Sequence, residues 1–139
     1  MIKDKEQQII EEFAIFDSWM DKYQYLIDLG KELDVLLPQE RIEANRIKGC
    51  QSNVWIVMDG IAEAVDIRAA SDSAIVSGLI SLIIRVYNKS PAIEILRNEP
   101  GFIDAIGLSS HLSISRANGL SSMLQKIDEG VVRFIKKPT

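Results

Sequence analysis

From Ala74 to Tyr87 the chain carries Ala74, Ile75, Val76, Leu79, Ile80, Leu82, Ile83, Ile84 and Val86. Wound as a helix, this stretch is apolar almost all round, so it must be buried at the centre of whatever it folds with. It falls short of the ~20 residues a bilayer requires and contains Arg85, so it reads as a core helix and not a membrane span. Ser71-Asp72-Ser73 supplies capping residues for a start at about Ser73. Gly78 is expected to let a neighbouring strand approach, at a propensity cost of ~1 kcal/mol relative to alanine. Two apolar runs, Val54 to Met58 and Ile61 to Ala69, precede this helix with Asp59-Gly60 between them. That dipeptide predicts a hairpin with a type I′ turn. In the second run Val65, Ile67 and Ala69 alternate with Ala64, Asp66 and Arg68, so one face should be wet. The first run has no polar alternation, and both its faces are expected to be covered.

The remaining segments read as helices around that hairpin. Ile9, Ile10, Phe13 and Phe16 recur at helical steps between about Lys3 and Phe16. Ser18 looks like a cap for a second helix with Trp19, Tyr23, Leu26 and Gly30 on one stripe, a pattern that reads as core. Pro38 closes this region, and the polar segment Gln39 to Asn45 leads onward. Ser90-Pro91 starts a short helix, Phe102 to Ile106 a shorter one, and Ser113 caps a long last helix in which Gly130 is a weak point. Repeats, linkers and low-complexity tracts are absent. The expectation is a single α+β domain over 1–139, with helices packed on a small antiparallel sheet. At 139 residues with 47% hydrophobic and 26% charged side chains, the chain can bury a real core. A net charge of −4 without a basic cluster argues against nucleic acid. The polar start, Met1 to Gln8, is unlike a signal peptide, so the expectation is a soluble cytoplasmic protein without membrane contact.

The chemistry converges on Arg46-Ile47-Lys48-Gly49-Cys50-Gln51-Ser52-Asn53. Cys50 is the one cysteine and His111 the one histidine. A thiolate-rich zinc or iron–sulfur site therefore cannot be built within one chain, and no phosphate loop is present, so no cofactor is expected. Gly49 allows a turn, and Arg46 and Lys48 favour thiolate at Cys50. The thiol could be an inert core residue, the nucleophile of a hydrolase with His111 as base, a redox switch, or a persulfide carrier. For a carrier, the lack of a second thiol is an advantage, because a neighbouring cysteine would discharge the persulfide as a disulfide.

Gly49-Cys50-Gln51-Ser52-Asn53-Val54-Trp55 resembles the active-site motif of the SufE family, the sulfur acceptors of iron–sulfur cluster assembly. Trp19, Lys22-Tyr23 and Tyr25 to Gly30 look like its N-terminal signature. Ser71-Asp72, Ile75-Val76 and Gly78-Leu79 look like its central-helix signature. Leu108, His111-Leu112-Ser113, Ser115-Arg116 and Asn118-Gly119-Leu120 look like its C-terminal one. Ile114 departs from the proline that often precedes the Ser-Arg pair. The resemblance implies a SufE/IscU-like fold and a non-enzymatic accessory protein. Its partner would be a PLP-dependent cysteine desulfurase of the SufS type, which it would activate by accepting persulfide sulfur on Cys50. Cluster scaffold proteins would be the onward recipients, and a homodimer is implied too. Gly49, Gln51 and Ser52 would supply the flexibility of a loop that shelters Cys50 in an apolar cavity and swings out to the partner. Asp72 and Arg116 would hold the loop or meet the partner. A cysteine hydrolase using Cys50 and His111 is the alternative.

Overall fold

The computed structural model describes residues 2–34, 36–48 and 52–136. Two helices open the chain, α1 (Ile2–Ala14) and α2 (Trp19–Gly30). Two short 3₁₀ turns, Pro38–Glu40 and Glu43–Asn45, lead to the hairpin of β1 (Val54–Ile61) and β2 (Ala64–Ser71). Helices α3 (Ala74–Tyr87), α4 (Ala92–Arg97), α5 (Phe102–Ala105) and α6 (Ile114–Lys136) complete it. This is the α+β arrangement expected, with a two-stranded antiparallel sheet. Among the described residues no helix is long and apolar enough to cross a membrane.

The helix starts follow local chemistry. Ser18 Oγ accepts from the Asp21 N–H at 3.2 Å, and Ser73 Oγ accepts from Val76 N–H at 3.4 Å. Ser113 Oγ accepts from Arg116 N–H at 3.3 Å. Each satisfies one donor that a first helical turn leaves unpaired. The predicted central helix is central: Gly78, Leu79, Ile80, Leu82, Ile83, Val86 and Tyr87 are buried. They join Ile9 and Phe13 of α1, Leu26 of α2, Val54 and Ile56 of β1 and Ile127 of α6 in one core.

Several expectations change. The hairpin turns at Ala62-Glu63, since Ile61 pairs with Ala64 and Gly60 with Val65. Gly60 does take positive φ (96°), but inside β1, where a Cβ would lie 2.5 Å from the Ala64 carbonyl oxygen. Gly78 admits a helix and not a strand. A Cβ there would sit 2.3 Å from Leu26 O, and one on Gly30 would sit 2.7 Å from Gly78 N, so α2 and α3 cross backbone to backbone. The outer face of β1 is covered only in part, Trp55 and Val57 being half-buried. Gly130 does not end α6; it is buried, and a Cβ there would meet Met58 Sδ.

The polar face of β2 is tied down by charge. Arg68 grips Glu40 with two hydrogen bonds of 2.9 and 2.6 Å and lies 3.6 Å from Asp59. Chiefly through those bonds, with the Leu37 N–H adding, the Glu40 carboxyl is pulled from 4.5 to about 2. A depressed folded pKa contributes stability that is complete above 4.5 and lost as pH falls toward about 2. Glu40→Gln should therefore flatten the loss of stability across that window. Denaturant midpoints measured through the acid range check this, and parallel native and variant profiles would refute it.

Candidate functional site

Two anchored legs flank the segment that bears Cys50. On the entering leg, the Arg41 guanidinium lies 5.5 Å over the Trp55 ring. Ile47 is buried and its N–H donates to Val54 O at 2.8 Å, alongside a bridge between Arg46 and Trp55. Arg46 holds Glu43 through two hydrogen bonds of 2.9 Å each. Those bonds keep the Glu43 carboxyl below its usual range, with the Lys48 charge adding. Of the two cations preceding Cys50, Arg46 is thus answered locally, while Lys48 is exposed.

On the leaving leg, Asn53 and Asp72 close the open end of the hairpin. Asn53 N–H donates to Asp72 Oδ1 at 3.1 Å, Asn53 Nδ2 donates to Oδ2 at 2.8 Å, and Asp72 N–H donates to Asn53 O at 3.3 Å. Asp72 directly precedes Ser73, the N-cap of α3, so this leg is fastened to the start of the central helix. Gly49, Cys50 and Gln51 lie outside the described residues. Asn53 is not singled out by sequence as a site residue, although it makes the tie through which Asp72 acts.

Ser52, the first described residue after Cys50, lines a cavity of about 290 Å³. Its wall is apolar, built from Val54 of β1, Val76, Leu79 and Ile80 of α3, and Leu120 and Met123 of α6. Its polar edge comes from the start of α6, where Ser113, Ser115 and Arg116 stand. Arg116 is exposed, and among the described residues its guanidinium has no carboxylate partner. Ser52 and Arg116 thus meet at one cavity from distant parts of the chain, while Asp72 holds Asn53, the neighbour of Ser52. Ser113 and Ser115 belong to the stretch that resembles the family's C-terminal signature, but their place at this cavity is not legible in the sequence.

His111 is engaged elsewhere. Its ring stacks on Trp19, with centroids 3.7 Å apart and planes 23° apart, and its carbonyl accepts from Tyr23 Oη at 2.5 Å. Nδ1 lies 3.2 Å from both Gly107 O and Ser110 Oγ, so the ring is also held to the turn before it. The histidine pins the approach to α6 onto α2 and does not line the cavity. Among the described residues no three His, Cys, Asp or Glu side chains gather as metal ligands would.

Comparison with known proteins agrees with this arrangement. Residues 7–131 match the family model described as "SufE: Fe-S metabolism associated domain". An uncharacterized SufE-like protein of Rhizobium meliloti is 39% identical over 125 residues, covering 86% of this chain and 89% of that protein. Another from Rhizobium etli is 39% identical over 127 residues, covering 88% and 86%. The solution structure of a hypothetical protein from Thermus thermophilus superposes with a TM-score of 0.79 at 19% identity, over 96% of this chain and 97% of that one. At that identity it speaks for the fold alone. With the whole hairpin, the cysteine segment and the cavity inside the matched region, this chain belongs to the SufE family and has its role in iron–sulfur metabolism.

Proposed function

We propose that this protein is a persulfide carrier that relieves a PLP-dependent cysteine desulfurase of the SufS type. The Cys50 thiolate attacks the outer sulfur of the enzyme's cysteine persulfide. The S–S bond there breaks, the enzyme's thiolate leaves, and Cys50 becomes the persulfide. Its terminal sulfur then passes to a protein that assembles clusters. The observation that carries this reading is a lone thiol between two fastened legs, two residues before Ser52, which lines an apolar cavity. A persulfide needs shelter from other thiols, and a cavity of this kind supplies it. We propose further that shelter raises the resting pKa of the thiol, and that docking on the desulfurase exposes and activates it. Alkylation of Cys50 across pH, alone and with the enzyme, should show activation in the complex; identical profiles would sink that step.

The carrier reading is tested by incubating the protein with a cysteine desulfurase and cysteine, then weighing it intact. The native protein should gain one sulfur atom that a reductant removes, and Cys50→Ser should gain none. His111→Ala should gain sulfur like the native protein, because the ring serves the contact with Trp19. Absence of the mass gain in the native protein would remove the proposal. Loss of the gain in a folded His111→Ala variant would favour the hydrolase-type pair of Cys50 and His111.

A further inference from the structure

The cavity beside Ser52 has a floor of buried side chains and a rim that carries none. Val54, Leu79, Ile80 and Met123 line it from the core and are buried. Ser113, Ser115, Arg116, Gly119 and Leu120 line it from the other side. These five belong to a strap that runs from buried Leu108 to buried Met123. No residue of 110–122 is buried, and Leu112 and Leu120 rest only half-buried against the core. A stretch with so few buried contacts opens locally at a fraction of the cost of unfolding.

Near its start the strap is fastened to α2. The His111 ring stacks on Trp19 at 3.7 Å between centroids, and Lys22 Nζ stands 4.8 Å from the Trp19 ring centre. Tyr23 Oη donates to the His111 carbonyl at 2.5 Å. Gly107, left-handed at φ 84°, lets the turn run so close that a Cβ there would lie 3.0 Å from Trp19 Cζ2. Helix α2 also crosses α3 backbone to backbone, and α3 supplies much of the cavity floor. One helix therefore holds both floor and rim.

We infer that the Trp19–His111 clasp is a latch on this rim, and that both are positioning residues for sulfur transfer. Closed, the clasp holds the strap across the cavity and keeps free thiols from a persulfide sheltered there. The inference rests on the carrier reading and gives a part in it to two residues that do not line the cavity. The step that the latch delays is attack of a free thiolate on the outer sulfur of the Cys50 persulfide. The thiolate takes that sulfur and becomes a persulfide, the S–S bond at Cys50 breaks, and Cys50 leaves as thiolate. Losing one stacked pair changes a local opening equilibrium by a factor of roughly 2 to 10.

The test takes three rates on the full-length protein. They are amide hydrogen exchange along α6, alkylation of Cys50 by iodoacetamide, and loss of sulfur to dilute glutathione. The last is followed by intact mass on protein loaded by a desulfurase and then desalted. His111→Ala should still load sulfur, but exchange in 110–122, alkylation and sulfur loss should each speed up about fivefold. Exchange in 123–136 should not change. His111→Phe keeps a ring on Trp19 and should hold all three rates within about twofold of native. Tyr23→Phe removes only the hydroxyl bond to the His111 carbonyl and should shift the rates the same way by less. Unchanged rates in a folded His111→Ala, or failure of His111→Phe to restore them, would overturn the latch. So would faster exchange along the whole of α6, which marks general loosening. If His111→Ala does not fold, Tyr23→Phe decides, and unchanged rates there overturn the latch. A native protein that loads sulfur, with variants that keep it as long, overturns this inference alone. Faster exchange and alkylation in His111→Ala, with no sulfur gained by the native protein, overturns the carrier reading and leaves the latch on the rim.

Discussion

Gly78→Ala should lower stability by about 2–3 kcal/mol, the balance of two opposed terms. Alanine improves helix propensity by ~1 kcal/mol. Against that, its Cβ would lie 2.3 Å from the oxygen and 2.8 Å from the carbon of the Leu26 carbonyl. Those are backbone atoms inside α2, so no side-chain rotation relieves the overlap. The helices must separate, and the buried contacts of Leu26 and Leu79 loosen with them. Gly101 provides the comparison, because a Cβ there meets nothing within 4 Å and its φ of −66° suits any residue. Gly101→Ala should be neutral or stabilising by about 0.5 kcal/mol. Thermal or denaturant unfolding of the two variants decides the matter; equal stabilities would show that the α2–α3 crossing is slack.

Asp72→Ala should raise the alkylation rate of Cys50 about tenfold with little change in global stability. Both carboxylate oxygens accept from Asn53, so the substitution removes two charge-assisted hydrogen bonds and keeps the backbone one. Asp72 is exposed, which discounts each bond, and a loss of about 1.4 kcal/mol in the local tie corresponds to tenfold in local opening. Asp72→Asn can still accept from the Asn53 N–H but not in the same way from Nδ2, so it should fall between. An unchanged rate in Asp72→Ala would mean that the leaving leg does not govern access to the thiol.

Asn53 shows why part of the site is not legible in the sequence. With a turn centred on Asp59-Gly60, Met58 would face Ile61 and Asn53 would face Asp66. The turn at Ala62-Glu63 moves the register so that Val54 faces Ser71 and Asn53 meets Asp72. Asp-Gly is a strong local turn signal because glycine tolerates positive φ, and Gly60 uses that freedom within the strand instead. Either turn puts Val54, Ile56, Val65, Ile67 and Ala69 on one side of the hairpin, so their alternation alone does not choose the register. Gly78 follows the same pattern: the need for close approach is legible, but the approaching partner is not.

What the sequence determined by itself was whatever depends on residues a few positions apart. Ser18, Ser73 and Ser113 each cap the helix that follows because the bond spans three residues. The apolar surround of Ala74 to Tyr87 required a central helix, and the lone Cys50 within its motif pointed to the SufE family. Tertiary structure alone decided which distant groups meet. It brought Arg116 and Ser52 to one cavity, joined Asn53 to Asp72, and turned His111 onto Trp19. Those meetings depend on how three helices and a hairpin share one core. That sharing is set by the summed burial of many side chains and is not written in any one stretch of the chain.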